Sequence, residues 1–187
     1  MHGASGQITD ADVAALEMQL LDELPGFAIG YKDEDRLQQL IGRLVRPFNA
    51  TYLTDYTTVL FGVVWFPSRA WRAQMGPRVI YEILRHEAVH LRDARRFPVF
   101  FHVSYLLLPL PAVLTMRAWW EWRGYTETLR VVQQLDGFIP DSLLNHVEQR
   151  FVGSDYLFMW PFRRHIRGRL AALRRRLSAE DAAGKRP

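Results

Sequence analysis

His86-Glu87-Ala88-Val89-His90 sets two imidazoles four residues apart, with a carboxylate beside the first. On an α-helix, positions i and i+4 share one face, so both rings can reach a single ion. Glu87 then stands where it can hold and deprotonate a water on that ion. This HExxH pattern is the minimal recipe for a hydrolytic zinc site, with His86 and His90 as ligands and Glu87 as general base. Such a site also needs a third protein ligand and an open position for water. The chain has no cysteine, which excludes thiolate zinc sites and disulfides and leaves His, Asp or Glu for the third ligand.

Two glutamates downstream are candidates, Glu121 and Glu127, on a helix expected over residues 117–130. Six residues apart, they point to different sides of that helix and cannot both face one ion. Glu121 lies among Trp119, Trp120 and Trp122, in a stretch too aromatic to be fully solvated. A carboxylate there needs a partner, and a metal is a good one. Glu127 is the second choice, or a group that hydrogen-bonds a ligand histidine from behind.

An HExxH helix followed after a loop by Glu121-Trp122-Arg123-Gly124 resembles the gluzincin metallopeptidases, and the small size resembles their minimal, single-domain members, the minigluzincins. The resemblance covers roughly residues 50–130. It implies Zn2+ held by His86, His90 and Glu121, Glu87 as general base, and a peptide or protein substrate. It also implies a small zincin-like α+β fold, in which the strand before the active-site helix is a sheet edge that pairs with substrate. Many gluzincins have Asp where this chain has Tyr125, a departure that touches how a ligand histidine is oriented. A donor for the tetrahedral oxyanion is expected from Tyr125, Tyr156, His146 or His165, as a histidine or tyrosine provides in larger relatives.

Periodicity supplies the elements that must position these groups. Residues 79, 80, 83, 84, 88 and 91 are apolar at helical spacing, Pro77 suits a first turn, and Pro98 ends the segment. Residues 56–67 are β-branched and aromatic and read as a strand closed by Pro67. Upstream, strands are expected at 27–31 and 49–54, with a helix over 34–46 between them. A further amphipathic helix over 9–23 is opened by Thr9 or Asp10 and stops before Pro25. The expected fold is α+β, a short mixed sheet with an edge strand over the HExxH helix and a glutamate-bearing helix after it.

At 187 residues and 49% hydrophobic, the chain suits one domain over residues 1–176. Within it, 25–130 is the expected catalytic core and 138–176 a helical and aromatic extension, with 177–187 as a disordered tail. The extension either packs as ordinary core or, over 150–187, shapes or blocks the cleft. The net charge of +4 comes almost wholly from arginine, much of it between residues 163 and 176. That pattern reads as a solvated helix, and no nucleic-acid partner is expected. Residues 99–116 approach the length of a membrane span. Pro109 and Pro111 break them, and a span would put His90 and Glu121 on opposite sides of the bilayer. A folded-back connection is expected, with peripheral membrane contact as a candidate role. Residues 1–25 have no basic flank before an apolar core, so a cytoplasmic location is expected. The alternative to a peptidase is a catalytically inactive interaction or membrane-associated domain on the same fold.

Overall fold

A computed structural model of the chain describes residues 7–47, 50–106, 116–153 and 159–184. It forms two compact units, Gln7–Arg96 and the chain from Phe97 onward.

In the first unit, Thr9 caps α1 (Asp10–Glu23) through a reciprocal bond with Asp12, which satisfies donors at the helix start. Val13, Leu16 and Leu20 form its buried stripe. The chain then enters β1 (Ala28–Tyr31), α2 (Arg36–Val45, capped by Asp35) and the hairpin of β2 (Thr58–Leu60) and β3 (Val63–Phe66). Phe61 and Gly62 form the two-residue hairpin turn, both with positive φ (51° and 83°), as the strand twist requires. The sheet order is β1-β3-β2, with β1 parallel and β2 antiparallel to β3.

Next comes α3 (Arg69–Arg96), broken at Gly76 (φ 74°) so that Pro77 opens a second helical segment. Ile80, Leu84, Ala88 and Leu91 from that segment pack with Leu16, Leu20, Phe27, Val64 and Phe66 in one core.

In the second unit, α4 (Pro98–Leu106) precedes α5 (Arg117–Asp136), which ends on Gly137 in the left-handed region. α6 (Asp141–Val152) follows Pro140, and α7 (Arg163–Gly184) completes the unit. Leu129, Val147, Phe151, Met159, Ile166, Leu170 and Leu173 make its core.

The chain is thus mostly helical with a small mixed sheet, compatible with an α+β class. Four expectations differ in detail. Residues 56–67, expected as one strand, form the β2–β3 hairpin, because the positive φ of Phe61 and Gly62 turns the chain back. The strand just before the active-site helix, β3, is the central strand, paired on both sides, and not the sheet edge. Its parallel partner β1 lies over thirty residues upstream, so local pattern could not reveal the pairing. The strand expected over 49–54 is a run of turns from residue 50, closed by Thr54 and Asp55 amides donating to the Thr51 carbonyl. Finally, α7 runs as helix to Gly184, past residue 177, because Leu177 still has a buried site to fill. Among the described residues, no helix is long and apolar enough to cross a membrane. Of the 99–116 segment, residues 107–115 lie outside the described residues.

Candidate metal centre

The apolar stripe of α3 fixes how that helix is rotated. With Leu84 and Ala88 in the core, Glu87 and His90 are also buried, His90 to 2% exposure, and His86 is half-buried. The two histidines meet as i, i+4 neighbours, Nε2 to Nε2 at 3.1 Å, with their rings edge-on and centroids 4.9 Å apart. Glu87 is held from the hairpin side: the Thr57 hydroxyl, one residue before β2, donates to Glu87 Oε1 at 2.7 Å.

The turns before Thr57 are held in turn by a buried lysine. Lys32 follows β1 and is fully buried. Its Nζ donates to the carbonyls of Tyr52 (2.8 Å) and Tyr56 (2.7 Å) and sits 3.9 Å from the centre of the Tyr52 ring. A compact ammonium can join two carbonyls in this way, and the join ties the turns before Thr57 to the end of β1. Burial pulls the Lys32 pKa down to about 7, a fall that the nearby Glu87 charge partly opposes. The Tyr52 hydroxyl donates to Gln38 Oε1 at 2.8 Å, and burial raises its pKa.

On α5, Glu121 is buried to 4% exposure beside the buried Trp120, whose indole N–H donates to Ser104 Oγ on α4 at 3.0 Å. Glu127 instead accepts from Arg130 at 2.6 Å. His86 and His90 of the first unit and Glu121 of the second each offer one ligand atom that could serve a metal ion.

The donor set fits a divalent ion. Four-coordinate zinc with bonds of about 2.0–2.1 Å spaces its ligand atoms ~3.3 Å apart, close to the observed histidine separation. Two imidazoles and one carboxylate also match a hydrolytic zinc set that keeps one position for water. The same three donors would serve other divalent metals, since imidazole and carboxylate are not selective for zinc.

The other candidates are dispersed. Tyr125 lies one helical turn past Glu121, with its ring 5.9 Å from that of Phe151. His146, on α6, accepts from Arg150 Nε at 3.3 Å, and burial, with that charge, lowers its pKa. His165, on α7, packs 5.5 Å from Trp160. Tyr156 lies outside the described residues.

Sequence reasoning passed over Lys32, Thr57 and Asp93. Asp93 is a buried carboxylate three residues past His90, and that spacing alone could have marked it. Lys32 carried a fainter sign, as one of two lysines in an arginine-dominated chain. Comparisons of the chain with family models, curated proteins and solved structures gave no match.

Proposed function

We propose that the chain is a zinc-dependent metallopeptidase in which His86, His90 and Glu121 hold the ion and Glu87 is the general base. The observation that carries this reading is the pair of histidine nitrogens 3.1 Å apart, next in sequence to a buried, hydrogen-bonded glutamate. A bound zinc supplies Lewis acidity, which makes water a nucleophile near neutral pH and polarises a carbonyl.

The rest falls to the chain's own residues. Glu87 takes the proton of the attacking water as its oxygen bonds to the scissile carbonyl carbon. It then delivers that proton to the leaving amine as the C–N bond breaks. Thr57 fixes the orientation of the carboxylate, which a base needs if the proton is to move along a short, aligned path. Tyr125, on the Glu121 side of α5, is the proposed donor to the oxyanion. We place any peripheral lipid contact of the 99–116 segment at the exposed Val99 and Phe100 of α4.

The test is a pair of measurements on the full chain, zinc content and cleavage of internally quenched peptides. Glu87→Gln is expected to keep zinc and lose turnover. An inactive wild type that still binds zinc would instead support a non-catalytic domain.

A further inference from the structure

α2 turns its apolar side outward. Leu37, Leu40 and Leu44 are 49%, 50% and 68% exposed, and their spacing of three and four puts them on one stripe. The opposite side is polar or small and is locked in place. Gln38 is fully buried and accepts from the Tyr52 hydroxyl. Gly42 lies so close to Leu53 that a Cβ there would come within 2.5 Å of its side chain. Gln39 Nε2 donates to the Lys32 carbonyl at 2.8 Å, and Asp35 caps the first turn. The helix cannot roll to hide its leucines without breaking these contacts.

Arg36 and Arg43 are exposed on the flank of the stripe, each one residue before a leucine, and the exposed Arg46 follows the helix. α2 contains no acidic residue, and none of the three arginines has an ion pair among the described residues. The nearest acids in sequence, Asp33, Glu34 and Asp35, lie in the turn before the helix. There Glu34 is paired with Arg69 and Asp35 is the cap. Leucines held outward beside unpaired arginines are the pattern of an interfacial helix on an anionic surface. A second copy of the chain is a poor occupant, because a two-fold contact through this face would set Arg36 and Arg43 against their own counterparts.

We propose that α2 docks the chain on an anionic membrane surface, its leucines entering the acyl boundary and Arg36, Arg43 and Arg46 meeting lipid phosphates. This surface is independent of the metal reading and distinct from the 99–116 segment.

Flotation of the full chain tests it, with vesicles of phosphatidylcholine alone and of equal parts phosphatidylcholine and phosphatidylglycerol. Binding is expected to the mixed vesicles and to weaken with salt. Arg36→Gln with Arg43→Gln should weaken it about fivefold per arginine. Leu40→Ser with Leu44→Ser should remove it, while circular dichroism stays unchanged because both sites are exposed. No flotation of the wild type, or equal flotation of wild type and both variants, would overturn the proposal. So would a wild-type dimer that the leucine variant dissociates without any vesicle binding.

Discussion

At the scale of single residues, the groups proposed to hold an ion differ from the one proposed to move a proton. His86→Ala should lose zinc by about a hundredfold or more in affinity, because one of the three proposed protein donors is removed. Titration of the apo-protein with zinc measures this. Thr57→Val should leave zinc affinity unchanged and lower kcat by roughly ten- to a hundredfold, since it only loosens the carboxylate. Steady-state kinetics on a cleaved peptide would read that difference, and a normal kcat would remove Thr57 from the account. The HExxH residues were legible in the sequence because their geometry is local, set by one helix and its apolar stripe. Glu121 was legible less directly, from a carboxylate stranded among tryptophans. Lys32 was not, because its role depends on carbonyls 20 and 24 residues away that no local pattern announces.

At the scale of elements, the helices α1 and α2 and the strand β1 were readable, and the strand order was not. Thr9, Pro25, Pro77 and Pro98 punctuate α1 and α3, and each acts within a turn of its own position. Strand order depends on partners, and β3 became central only through its distant pairing with β1. The turns at 50–55 replace an expected strand where Lys32 draws the Tyr52 and Tyr56 carbonyls toward itself. Within the sheet, Gly30 lies opposite Trp65, and a Cβ on it would come 2.5 Å from the indole ring. Gly30→Ala should therefore destabilise the chain by about 1–3 kcal/mol, because a rigid ring in a packed layer must move. Urea unfolding checks this, and a midpoint equal to wild type would show that the ring yields freely.

For the whole molecule, two buried charges set the expected response to pH, one in each unit. In the C-terminal unit, Glu148 accepts from Arg167 and Arg163, and the Arg167 bond is the main cause of a pKa below the ordinary 4.5. Its stabilisation is complete above that ordinary value and is lost as pH falls through the lower, folded one. In the N-terminal unit, Lys32 titrates near 7 when folded and at 10.5 ordinarily. Over that window the unfolded chain binds the extra proton, so stability rises with pH and is lost as pH falls toward 7. Thermal melts should show Glu148→Gln flattening the acid limb and Lys32→Met flattening the rise between about pH 7 and 9. An unchanged slope in either variant would contradict the burial assigned to that charge. The central claim, however, is the metal. Its most direct test is the zinc stoichiometry of the full wild-type chain after reconstitution, beside Glu87→Gln and His90→Ala. The account predicts one zinc per chain in the wild type and in Glu87→Gln, and none in His90→Ala. A wild type that takes up no zinc, or a His90→Ala variant that retains it fully, would contradict it.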